Sequence, residues 1–141
     1  MCSSDLGDVG SQFCGFMLAL FGVAATRFEG VALSFLLVPF LLSGVLYDVT
    51  FTLIRRTLAR DNIVQAHNGH LYQVVRRAGM DARLVAAMHW GFAIIGGLTA
   101  IAFLSTTAWE RIAIGLTPLA VQLAWTDYVI RRARSANIGK W

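Results

Sequence analysis

The fold class predicted by this sequence is an all-α, polytopic transmembrane helix bundle, and three observations predict it. Of the 141 residues, 57% are hydrophobic and only 14% charged, with a mean hydropathy of +0.62. Soluble domains carry about 25% charged residues, so too little polar surface remains here to coat a soluble globule. The apolar residues gather into four stretches, near 13–26, 31–53, 84–104 and 112–130. None alternates with the period of a strand, and lipid admits only helices or closed barrels because backbone polar groups must be satisfied internally.

A spanning helix needs roughly 20 apolar residues. The second, third and fourth stretches meet that length, and the first is shorter and Gly-rich, so about four spans are expected. Gly7-Asp8-Val9-Gly10-Ser11 stands just before the first. Its glycines would let a backbone approach a ligand closely, and Asp8 is a hard carboxylate suited to Mg²⁺; the same residues also make a good turn. The second stretch contains Pro39 and Gly44, and the helical repeat places Asp48, Thr52 and Arg55 or Arg56 near one face. Asp48 there is either clamped by arginine or in contact with a substrate, since a carboxylate at that depth is paired or faces a cavity.

Between the second and third stretches, Leu71, Val74, Val75 and Ala78 follow i, i+3, i+4, i+7 spacing. The spacing predicts a short amphipathic helix, with Gly79 as its C-terminal stop and Asp81 as the N-cap of the next span. His67 and His70 fall at the N-terminus of that short helix, where unpaired amides favour anions. His89, alone in the third stretch, is expected to bond a neighbouring helix and is left out of the site. Gly96-Gly97 marks a close-packing point and Pro118 a kink. Trp90, Trp109, Trp125, Tyr72 and Tyr128 fit an aromatic belt at the membrane surface. No repeat or second domain is visible.

Charge placement predicts orientation. Arg55, Arg56, Arg60, Arg76, Arg77 and Arg83 lie between stretches two and three, and Arg131, Arg132, Arg134 and Lys140 follow stretch four. The other connections hold only Arg27 with Glu29, and Glu110 with Arg111. The positive-inside rule puts the His-containing loop and the C-terminus in the cytoplasm. The net charge of +4 is thereby topological, and no nucleic-acid partner is expected. Imidazole and guanidinium side by side at a membrane surface suit a phosphorylated substrate, because both donate to anionic oxygens. A stop-transfer cluster that only sets topology would look the same by composition. Cys2 and Cys14 form no disulfide framework or metal-ligand spacing. Met1–Leu6 are expected to be foreign, since the hexapeptide back-translates to a common sequencing-adapter end.

Taken in order, Gly7–Ser11 entering a Gly-rich span, Asp48 through Arg56 at the end of the next, and His67-x-x-His70-Leu71 in the following loop resemble one family. The chain from Gly7 to about Arg134 is similar to the C-terminal part of the polyprenyl-phosphate N-acetylhexosamine-1-phosphate transferases. That superfamily also holds phospho-N-acetylmuramoyl-pentapeptide transferase. Ala66-His67 to Tyr72-Gln73 looks most like the branch serving bacterial surface polysaccharides, lipopolysaccharide among them. The resemblance implies transfer of N-acetylhexosamine 1-phosphate from a UDP-sugar to undecaprenyl phosphate in the bacterial inner membrane, with release of UMP. It implies Mg²⁺, or Mn²⁺ in its place, on Asp8, catalytic roles for Asp8, His67 and His70, and substrate phosphate contacts for Ser11, Arg55 and Arg56. UDP-N-acetylhexosamine, undecaprenyl phosphate and membrane lipids are the partners implied, and a homodimer is compatible with the pattern.

Two departures stand out. Many members have His-x-His-His, where Asn68 and Gly69 here separate His67 from His70, and Asp5 stands where the family often has an aromatic residue. Residues 7–141 are thus expected to be the C-terminal fragment of a single membrane transferase domain. The half with the paired aspartates and much of the nucleotide pocket would lie elsewhere, and the chain alone would be inactive. The rival expectation is a small non-enzymatic four-helix membrane subunit or assembly factor.

Overall fold

The computed structural model describes residues 4–25, 27, 34–62 and 68–139. These contain six helices and no strand: α1 (Ser4–Ala25), α2 (Ser34–Leu41), α3 (Ser43–Leu58), α4 (Leu71–Arg77), α5 (Ala82–Leu104) and α6 (Ala108–Ser135). Two are long and apolar enough to cross a membrane, Ala82–Phe103 and Ala108–Ser135, with mean hydropathies of 1.7 and 1.2. Their outward faces are apolar; Trp90, Leu98, Ile101 and Ile112 are each more than half exposed. Water penalises such faces and lipid does not, which makes this a membrane-associated chain.

The first apolar stretch is a helix whose apolar part runs Gln12–Ala24. It starts inside the segment expected to be foreign, and Gly7–Ser11 continues it as helix, which corrects the turn reading. Each glycine costs a helix about 1 kcal/mol, but helical bonding keeps the amides satisfied on approach to lipid. The second stretch is not one helix. It divides at Leu42, whose φ of −88° and ψ of 5° lie off the helical basin. Pro39 lies inside α2, where it lacks an amide proton and crowds the turn before it. Leu42 N–H still bonds the Val38 carbonyl at 3.0 Å, and Leu46 N–H the Leu42 carbonyl at 2.9 Å, so the chain kinks rather than loops.

The kinked α2–α3 pair runs antiparallel to α5. A Cβ on Gly44 would lie 2.9 Å from the Phe92 ring, and one on Gly96 only 1.9 Å from the Phe40 carbonyl oxygen. The expected close-packing point is therefore real, and it lets the α2 backbone lie directly on α5. Helix α6 returns beside α5, starting at Thr107, whose N–H and hydroxyl both donate to the Glu110 carboxylate at 2.9 Å. Tyr47 and Thr126 link α3 to α6 through a hydroxyl pair at 2.9 Å.

Antiparallel packing gathers the end of α3, all of α4, the start of α5 and the end of α6 at one basic end. The core sits there too: Leu71, Val74 and Val75 of α4 are at most 1% exposed, against Val85, Phe92, Trp125, Val129 and Ala133. Helix α4 is the amphipathic helix expected from spacing. Trp125 corrects the belt reading, because it is 6% exposed and packed between Phe92, 5.8 Å away, and Tyr128, 5.6 Å away.

Three helices end at this face by the same device. After α4, Gly79 takes φ +85°, its N–H bonding Arg76 O at 3.0 Å while Met80 N–H bonds Val75 O at 3.1 Å. That is a Schellman stop, with Met80 folded onto Val75 as its hydrophobic seal. Arg60 (φ 57°) does the same after α3 and Asn137 (φ 51°) after α6. Asp81 then caps α5 as expected, its Oδ1 accepting from Arg83 N–H at 2.6 Å.

Candidate functional site

The last turns of α3 present Asp48, Thr52 and Arg56, one helical repeat apart, on a buried face. Asp48 is 6% exposed. Its Oδ1 accepts from Leu71 N–H at 2.8 Å and from the Thr52 hydroxyl at 3.3 Å, and His70 Nδ1 lies 3.8 Å away. The partners of Asp48 are thus Thr52 on its own helix and the His loop and α4, rather than Arg55 or Arg56. One carboxylate ties the end of α3 to the first amide of α4, an N-terminal N–H that α4 itself cannot satisfy.

His70 is the N-cap of α4, with φ −67° and ψ 145°. Its N–H donates to Gln73 Oε1 at 3.3 Å. The ring stacks on Tyr72 at 5.9 Å, and Tyr72 meets the edge of His89 at 6.2 Å. Arg55 donates to the Gly69 carbonyl at 3.3 Å, and Arg56 to that of Asn62. Both arginines therefore brace the two ends of the His loop.

These elements line an open cavity of about 590 Å³ between α3, α4 and α5. Its polar lining is Asp48, His70, Tyr72, Arg76 and His89, and its apolar walls are Val45, Val49, Ala82, Val85 and Ala86. Cationic and imidazole groups at one end with hydrocarbon walls beyond suit an amphiphile with an anionic head.

Of the expected site residues whose side chains are described, His70 alone lines this cavity. Arg55 touches the residue before it, and Arg56 binds further along the loop. Asp8 and Ser11 lie on α1, with side chains outside the described residues, as is His67 altogether. Sequence reasoning missed Tyr72, Arg76 and His89 as cavity residues. His89 bonds the Val85 carbonyl of its own helix at 2.9 Å, not a neighbouring one as expected. A signal was present: Ala82, Val85, Ala86 and His89 form one stripe on α5, and its small residues leave room for a ligand.

Among the described residues no three His, Cys, Asp or Glu side chains come together as a metal site. Asp48, the one carboxylate in the cavity, is bound to Leu71 and Thr52. The described residues by themselves therefore do not fit the Mg²⁺ that the resemblance implies.

No protein-family model matches the chain, and no solved structure matches it. Among curated proteins it is 27% identical over 105 residues to the "Probable undecaprenyl-phosphate N-acetylglucosaminyl 1-phosphate transferase" of Bacillus subtilis (strain 168). The match takes in 74% of this chain and 29% of that protein, so the chain corresponds to under a third of its relative's length. The resemblance read from the motifs is borne out at this level: the chain is similar, over most of its own length, to a polyprenyl-phosphate sugar-1-phosphate transferase.

Proposed function

We propose that this chain is the C-terminal part of an enzyme that transfers N-acetylhexosamine 1-phosphate from a UDP-sugar to undecaprenyl phosphate. The observation that carries the reading is the cavity of about 590 Å³, hydrocarbon-walled by α3 and α5 and headed by His70, Tyr72 and Arg76. Its chemistry fits a lipid phosphate, and the similar protein's name supplies undecaprenyl phosphate as the lipid and N-acetylglucosaminyl 1-phosphate as the group moved.

In this reading α1, the α2–α3 pair, α5 and α6 are four spans of the bacterial inner membrane. The basic end faces the cytoplasm, where a nucleotide-sugar is available. Arg76 neutralises the lipid phosphate, and His70 with His67 orients it for in-line attack on the donor. Arg55 and Arg56 hold the His loop in reach of both phosphates. Asp8, with Ser11 beside it, is this chain's contribution to a Mg²⁺ site completed by other parts of the protein; Mg²⁺ when bound would neutralise the donor pyrophosphate.

In the complete protein, Asp8→Ala and His70→Ala are expected to abolish sugar-phosphate transfer to undecaprenyl phosphate while leaving membrane insertion intact. Full turnover in both variants would overturn these site assignments, and no turnover in the complete wild-type protein would favour the non-enzymatic subunit. The 141-residue chain alone is expected to release no UMP from UDP-sugars and undecaprenyl phosphate.

A further inference from the structure

His89 lines the cavity, and neither the motifs nor the similarity assigns it a role. Its Nδ1 stands 2.9 Å from the Val85 carbonyl. A carbonyl only accepts, so Nδ1 donates, and in an uncharged ring that tautomer leaves Nε2 as an acceptor. The ring is held edge-on by Tyr72 at 6.2 Å and by Phe92 at 5.6 Å. The titratable and charged groups sharing its cavity are Asp48 from α3 and His70, Tyr72 and Arg76 from α4, and α6 contributes none to the lining. Asp48 directs its oxygen at Leu71 N–H and Thr52, not at His89.

The geometry points to His89 Nε2 as the proton acceptor for a phosphate monoester whose head lies among His70, Tyr72 and Arg76. This rests on the transferase reading above and adds a catalytic residue to it. A phosphate monoester has a second pKa of about 6, so part of it carries a P–O–H at neutral pH. That proton passes to Nε2: the O–H bond breaks, an N–H bond forms, and the oxygen keeps the electron pair with which it attacks the donor. The resulting imidazolium donates from both nitrogens, Nδ1 to Val85 O and Nε2 to the phosphate. A lipid-linked diphosphate ester has no such monoester proton to give. His89 therefore distinguishes acceptor from product as well as activating the acceptor.

The test is a long-range ¹H–¹⁵N imidazole spectrum of the full chain in lipid nanodiscs, without lipid phosphate, with undecaprenyl phosphate, and with didodecyl phosphate, a phosphodiester. His89→Gln assigns the signals. The expected result is an unprotonated His89 Nε2 that becomes protonated with the monoester and not with the diester. His89→Gln should weaken monoester binding about tenfold, the loss of one charge-assisted hydrogen bond, and leave diester binding unchanged. Monoester binding by the wild type with an unmoved His89 Nε2 signal overturns the inference, and so does equal weakening of both ligands in His89→Gln. Failure of the helical wild-type chain to bind undecaprenyl phosphate at all would instead remove the cavity's proposed ligand, and the role of His89 with it.

Discussion

Gly96→Ala offers the sharpest test of how this bundle packs. A methyl group at that position would sit 1.9 Å from the Phe40 carbonyl oxygen and 2.6 Å from its carbon. Atoms in ordinary contact are about 3.5 Å apart or more, so α2 and α5 must separate by over an ångström. The obstacle is backbone, with no rotamer to swing aside, and the loss should reach about 3 kcal/mol, the top of the usual overpacking range. Gly91→Ala, on the same helix with nothing within 4 Å of its Cβ, is the control. It should be neutral or gain up to about 1 kcal/mol from helix propensity. The assay is reversible unfolding in mixed micelles by sodium dodecyl sulfate, followed by the fluorescence of Trp125, which the α5–α6 core buries. Stabilities of Gly96→Ala and Gly91→Ala within about 0.5 kcal/mol of each other would refute the close approach.

Other perturbations probe the basic end. Asp48→Leu leaves the buried Leu71 N–H without its acceptor; it should cost about 1–3 kcal/mol and selectively raise hydrogen exchange of the α4 amides. Arg60→Gly relieves a side chain held at φ 57° and should stabilise by about 1 kcal/mol, seen as a higher unfolding midpoint. Trp125→Ala empties the space between Phe92 and Tyr128. It should cost about 3–5 kcal/mol in a sodium dodecyl sulfate titration followed by circular dichroism, where Trp90→Ala, at an exposed position, loses far less. Asp81→Ala removes the bond to Arg83 N–H and should cost about 1 kcal/mol, with fraying of the first turn of α5 in amide exchange.

Much of the architecture was legible in the residues because its causes are local. Leu71, Val74 and Val75 sit at helical spacing, Gly79 stands where a positive φ is needed, and Asp81 stands one residue before an apolar run. Each signal acts within one or two turns of chain, and each appears in the structure as read. The signals that misled are those in which neighbours in sequence compete with neighbours in space. Gly-Asp-x-Gly-Ser has turn chemistry, yet it lies inside α1. Trp125 has the look of a surface aromatic, yet the approach of Phe92 and Tyr128 buries it.

The candidate site divides along the same line. His70 and the basic loop could be singled out from residue type alone, because imidazole and guanidinium near a bilayer suit anion chemistry wherever the chain places them. That Asp48 would cap a helix beginning 23 residues later, and that His89 and Arg76 would line one cavity with it, follows from how α3, α4 and α5 pack. Hydropathy, charge bias and capping residues act along the chain, and so the sequence by itself determined a helical, membrane-associated protein with one basic end. The cavity joins side chains from three helices, and its contents depend on a kink at Leu42 and a glycine at 96 that bring those helices together. Distances of that kind arise only when the helices pack, and there the tertiary structure alone decided.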